Sequence, residues 1–155
     1  ISGKVDAIIG AYWVAESISA AKQGFPVHVM RMEEWGVPDF YEIVLLASQE
    51  KVANDPDLVQ RFVRAMMRGY DEALNDPQAA VTLLVKAVPE VDEQTERQGI
   101  ALLTPYWYEG SHPFGWQDSG KWAAFSAWMQ DQGLVGDPGH LEHLFTNRFV
   151  EAAER

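Results

Sequence analysis

The chain contains no cysteine. That removes disulfides, thiolate metal sites and cysteine nucleophiles from its chemistry. It does not fix a compartment, because a well-packed exported domain of this size does without disulfides. Basic residues are scarce: 12 Lys and Arg stand against 23 Asp and Glu, a formal net charge of −11. Nucleic acid and anionic membrane surfaces are therefore not expected as partners, since phosphate neutralisation needs clustered Lys or Arg. No apolar run reaches the roughly 20 residues that span a bilayer. There is no Gly-rich phosphate loop, no G-x-S-x-G motif and no HExxH pattern. An initiating Met is also missing. The opening stretch, ISGKVDAIIG, reads as the interior of a longer protein, so a fragment or processed product is expected and the lack of a signal peptide carries no weight.

What is present is the composition of a globular domain. The 155 residues are 47% hydrophobic and 23% charged, enough for one sizeable core. The first 48 residues carry α/β patterning. KVDAIIG (4–10) is a short apolar run closed by Gly, and residues 11–22 read as a helix ending near Gly24. PVHVMRM (26–32) alternates, and YEIVLLAS (41–48) is continuous enough to be a strand buried on both faces. The expected order is thus a short βαββ segment.

From about residue 49 the pattern is helical. Asp55-Pro56 and Asp76-Pro77 each place an N-cap beside a first-turn proline. Leu58, Val59, Phe62, Val63, Met66, Tyr70 and Leu74 mark the apolar face of the first of these helices, and Ala80, Val81, Leu84 and Val88 that of the second. Asp92 caps a helix expected to reach Leu103, and Asp118 one carrying Trp122, Phe125, Trp128 and Met129 that stops at Gly133. The expected division is an α/β segment over 1–48 and a helical part over 49–155.

Four constellations bear on chemistry. Tyr12, Trp13 and Glu16 fall where a strand gives way to a helix, with Tyr12 and Glu16 one turn apart. Open α/β sheets bind ligands at such junctions. An aromatic ring offers a stacking face there, and a carboxylate accepts hydrogen bonds from ring N–H or amino groups; packing in a core is the alternative. EEWGVPDFYEI (33–43) joins two expected strands through a turn and brings Asp39, Tyr41 and Glu42 with it, again either a ligand surface or an ordinary acidic loop. Nothing sets two of its carboxylates at a working distance for acid–base catalysis. His140 and His143 in HLEHL could share a helix face, but no third zinc ligand stands at a recognisable spacing. The aromatic residues of 106–128 lack the basic groove of a single-strand binder and read as packing. No cofactor and no metal site is expected.

Taken in order, SGKVDAIIGAYWVAES, WGVPDFYEIVLLAS, NDPDLVQRFVRAMMRGYDEALNDPQAA and LFTNRFV resemble the C-terminal half of the NMT1/THI5-like substrate-binding proteins. The G-x-Y-W-x-x-E and G-V-P-D-x-x-E segments are the most specific parts. The resemblance implies a partial type II periplasmic-binding-protein fold: two α/β lobes with a cleft between them in the whole protein, of which this chain holds the end of one lobe, a crossover strand near 41–48 and the helices that return to the other. It implies a periplasmic or extracytoplasmic importer component, with a lipid anchor as one option. Such a component captures a small heteroaromatic ligand (a thiamine-pyrimidine precursor, riboflavin or similar) and delivers it to an ABC permease. Tyr12, Trp13 and Glu16 would face the cleft, with Asp39, Tyr41 and Glu42 less secure. The family's tyrosine before Gly-Val-Pro is Trp35 here, a departure that bears on the ligand. A fungal pyrimidine-synthase branch shares the fold, so an enzyme stays open as an alternative. A helical interaction domain, marked by an exposed apolar patch and no pocket near Glu16, is the third reading. Exposed strand edges predict that the fragment pairs with a second copy of itself.

Overall fold

Short polar side chains start most of the helices. In a computed structural model that describes residues 3–108, 110–137, 139 and 143–153, seven α-helices are seen among the described residues. They are α1 (Glu16–Lys22), α2 (Gln49–Asn54), α3 (Pro56–Asn75), α4 (Pro77–Ala87), α5 (Glu93–Leu103), α6 (Ser119–Asp131) and α7 (Arg148–Ala153). Ser48 caps α2 by accepting the Lys51 N–H at 3.0 Å, and Asp76 caps α4 through Ala79 at 2.9 Å. Asp92 caps α5 through Thr95 at 2.7 Å, and Asp118 caps α6 through Lys121 at 2.8 Å. Each such oxygen satisfies an N–H that the helix itself leaves without a partner. The expected helices after residue 49 therefore form where their caps and prolines put them.

The chain divides into two compact units, each assembled from two separate stretches. The first comprises Ile1–Met30 and Asp71–Trp107. Its organising element is α5, against which α1 and α4 pack. Ile18, Val81 and Thr95 are buried in it. Lys22, in the last turn of α1, forms an ion pair with the Asp92 carboxylate at the start of α5.

The second unit comprises Arg31–Tyr70 and Tyr108–Arg155. Met67, Phe149 and Val150 are its buried apolar side chains. Here α7 is tied to α3 by the Gln60 amide, which donates to the Phe149 carbonyl at 2.8 Å, and to α2 by Arg148, which donates to the Val52 carbonyl at 3.0 Å. The loop after Tyr106 is packed by its aromatic rings: Phe114 stacks on Tyr70 with centroids 3.7 Å apart, and His112 stacks on Trp116 at 3.6 Å.

Three expectations are corrected. The βαββ segment is not formed: residues 4–10, 26–32 and 41–48 belong to no strand among the described residues. A strand exists only as part of a ladder, and isolated extended chain has no partner for its N–H and C=O groups. The side chains show the consequence. Among the described residues the three most exposed large apolar side chains, Ile9 at 96%, Leu46 at 84% and Ile43 at 78%, all lie on expected strands. Second, α1 begins at Glu16 and not near residue 11; the chain turns through 13–15 before the helix starts. Third, the apolar face of α3 is narrower than expected and centred nearer Met67: Val59, Val63, Met66 and Tyr70 are partly covered, but three of the expected residues are not. Met67 is its buried residue, while Phe62 is 52% exposed and Leu58 and Leu74 are also exposed.

Candidate functional site

The first unit carries Tyr12, Trp13 and Glu16 on one turn. The Tyr12 carbonyl accepts the N–H of Ala15 at 3.0 Å and of Glu16 at 2.9 Å. Tyr12 and Glu16 are thus one turn apart even though the helix proper starts late. The Trp13 carbonyl accepts the Ser17 hydroxyl. Tyr12 is 47% exposed and Glu16 is exposed, so this turn presents both a ring and a carboxylate to solvent. Trp13 is half-buried, with its ring edge-on to Tyr106 at a centroid distance of 6.2 Å and an interplanar angle of 89°. Beneath the same turn lies Gly99 of α5, where an added Cβ would stand 2.6 Å from the Val14 carbonyl oxygen. Such a surface can stack on a planar ring and accept hydrogen bonds from its edge.

Sequence reasoning missed Gly99 and Tyr106 as supports of this turn. A signal was present for the first: a lone glycine inside a strong helical pattern weakens the helix and usually has a packing reason.

The second unit carries Asp39, Tyr41 and Glu42, and two of them are engaged inside it. The Asp39 carboxylate pairs with Lys121 Nζ at 2.7 Å, and that ammonium also lies 4.9 Å from the centre of the Tyr41 ring. The Tyr41 hydroxyl accepts the Asp118 N–H at 2.7 Å, and its ring is tilted against Trp122. Glu42 is exposed, as is Trp35 in the turn before it. That turn is closed by Gly36 at φ 91°, a conformation only glycine adopts without strain. Glu33 pairs with Arg31, so the acidic run is not a bare cluster of carboxylates.

An open groove of about 480 Å³ in the first unit is lined by Ser17, Ile18, Ala21, Lys22, Pro26, Val27, Val29 and Gln98. None of the six candidate residues lines it. No group of three or more His, Asp or Glu side chains able to hold a metal occurs among the described residues, and His140 and Glu142 lie outside them. Among the described residues no helix is long and apolar enough to cross a membrane. Asp92 is strongly perturbed: the Lys22 ammonium first, and then Thr95, hold its carboxyl down at about 2.

The profile of the family described as NMT1/THI5 like matches residues 1–80, and the chain belongs to that family. Two relatives match along nearly all of it. A formylaminopyrimidine-binding protein of Halalkalibacterium halodurans is 24% identical, over 95% of this chain and 46% of its own length. The riboflavin-binding protein RibY of Chloroflexus aurantiacus is 29% identical, over 95% of this chain and 43% of its own. The chain therefore spans less than half the length of these relatives.

Proposed function

We propose that this chain is part of the substrate-binding component of an ABC importer, capturing a small heteroaromatic molecule such as a thiamine-pyrimidine precursor or riboflavin. The observation that carries the reading is that two relatives, each similar over 95% of the chain, are named for binding flat, nitrogen-rich ring systems. The turn of Tyr12, Trp13 and Glu16 supplies fitting chemistry: ring faces to stack on, and a carboxylate to accept N–H groups from the ring edge. Asp39, Tyr41 and Glu42 form the secondary set. No bond is made or broken. Capture is by closure of lobes about a hinge, followed by delivery to a permease outside the cytoplasm, with a lipid anchor as one way of holding the complete protein there.

The same reading accounts for the bare apolar segments. Residues 4–10, 26–32 and 41–48 become strands when the rest of the complete protein supplies their ladder partners, with 1–48 closing one lobe and 49–155 returning to the other. Among the described residues the most exposed apolar side chains fall on these segments, which supports an incomplete sheet over a helical interaction surface.

The test is calorimetric titration of the complete protein with riboflavin and with formylaminopyrimidine, beside Trp13→Ala and Glu16→Gln. Loss of a stacking ring removes about 1–3 kcal/mol, so Trp13→Ala is expected to weaken binding by about fivefold to a hundredfold. Wild-type affinity in both variants would sink the assignment of these residues.

A further inference from the structure

Gly99 stands in the interior of α5, where glycine weakens a helix relative to alanine. It is buried, and its missing side chain has a use. A Cβ there would meet the Val14 carbonyl oxygen at 2.6 Å and its carbon at 3.7 Å. Real Cβ atoms do not approach backbone oxygen so closely, and backbone cannot swing aside as the end of a long side chain does. The turn that carries Tyr12 and Trp13 therefore lies directly on the bare backbone of α5. Seven residues further on, two helical turns along, Tyr106 closes the short 3₁₀ turn Thr104–Tyr106 and sets its ring perpendicular to that of Trp13. Trp13 is thus held at three points. Its carbonyl takes the Ser17 hydroxyl, the next residue's carbonyl rests on Gly99, and its ring meets Tyr106.

We propose that Gly99 and Tyr106 are positioning residues: α5 is a platform that fixes the depth and the angle of the Trp13 ring, and through it the affinity for a planar heterocycle. The inference rests on the reading of Trp13 as a ligand contact. Stacking energy depends on ring offset and tilt, so displacing the Val14 carbonyl by several tenths of an ångström moves the stacking face without removing it. Tyr106 acts through its ring, since an edge-to-face contact needs an aromatic partner.

The experiment titrates riboflavin and, separately, formylaminopyrimidine into the complete protein and reads both Kd and the binding stoichiometry. Gly99→Ala is expected to raise Kd about tenfold while stoichiometry stays near one. Tyr106→Leu is expected to raise it as well, and Tyr106→Phe, which keeps the ring, to restore wild-type binding. A lower stoichiometry at unchanged Kd in Gly99→Ala would make Gly99 a residue of folding only, and would overturn the proposal. If Gly99→Ala does not fold, the Tyr106 pair decides: equal Kd in the Leu and Phe variants overturns the platform. Trp13→Ala, run alongside, separates the two levels. Weakened binding in Trp13→Ala with wild-type Kd in Gly99→Ala rejects the platform alone, whereas wild-type Kd in Trp13→Ala, or no binding of either probe, rejects the ligand-contact reading and the platform with it.

Discussion

The backbone N–H of Asp118 donates to the hydroxyl of Tyr41, 77 residues earlier in the chain, at 2.7 Å. Asp118 is the N-cap of α6, so its side chain holds the first turn of that helix while its own N–H is held by Tyr41. The stretch after Pro38 is thereby fastened to the start of a helix remote in sequence. Tyr41→Phe keeps the ring against Trp122 and removes the hydroxyl that accepts the Asp118 N–H. A part-buried donor left without its partner costs about 1 kcal/mol. The urea midpoint of Tyr41→Phe is expected to fall accordingly, and an unchanged midpoint would show that water takes the place of the hydroxyl.

Asp92 gives a pH signature. Its carboxyl, ordinarily near 3.8, is held at about 2 by the Lys22 ammonium and by Thr95. The unfolded chain therefore binds the proton more readily than the folded one between these values. Stability from this group is complete above about pH 5 and is lost as pH falls through about 2. Asp92→Asn keeps an oxygen for the Thr95 N–H, and Asn caps as well as Asp, but it cannot titrate. Unfolding midpoints measured at successive pH values from about 5 down to 2 should fall less steeply in Asp92→Asn than in the wild type. Parallel slopes would mean that the ion pair is not kept in solution.

The helices were legible because their signals are local. Asp76 beside Pro77, Asp92 three residues before Thr95, and Asp118 three before Lys121 each act within a single turn, and the helices start where these residues stand. The expected strands carry no such guarantee. Ile9 and Leu46 have strand-like neighbours in sequence, but pairing depends on chain far away, and among the described residues no ladder forms around them. The candidate turn was legible in part. The spacing of Tyr12 and Glu16 follows from one turn of backbone, whereas Tyr106 reaches Trp13 only through the packing of α1 on α5. That contact is tertiary, and no pattern in either segment announces it.

A helical stripe read from sequence also ranks residues wrongly when it ignores what lies opposite. By hydrophobicity Phe62 outranks Met67 on α3, yet Met67 is 8% exposed and Phe62 is 52% exposed. Burial decides the cost of truncation, because a cavity forms only where neighbours close around the side chain. Met67→Ala is expected to destabilise by about 2–3 kcal/mol, and Phe62→Ala by about 0.5 kcal/mol or less. Chemical denaturation of the two variants checks the order. A larger loss in Phe62→Ala would place that ring in a core.

Two opposed forces act on the bare apolar segments. Ile9, Ile43 and Leu46, exposed on segments without secondary structure, invite a second copy to pair and cover them. The net charge of −11 on each copy resists the approach. Salt discriminates between the two, because screening shortens the reach of charge from about 10 Å at 0.1 M to about 3 Å at 1 M and leaves apolar attraction in place. The 155-residue chain alone is expected to self-associate, and to do so more as salt rises. Ile9→Lys combined with Leu46→Lys places charge on two of the segments and should return the chain to a monomer, even though it lowers the net negative charge that keeps copies apart. Light scattering across a salt series reads the outcome directly. A mass that remains at the 17.4 kDa of one chain at every salt concentration would show that the exposed segments do not seek a partner.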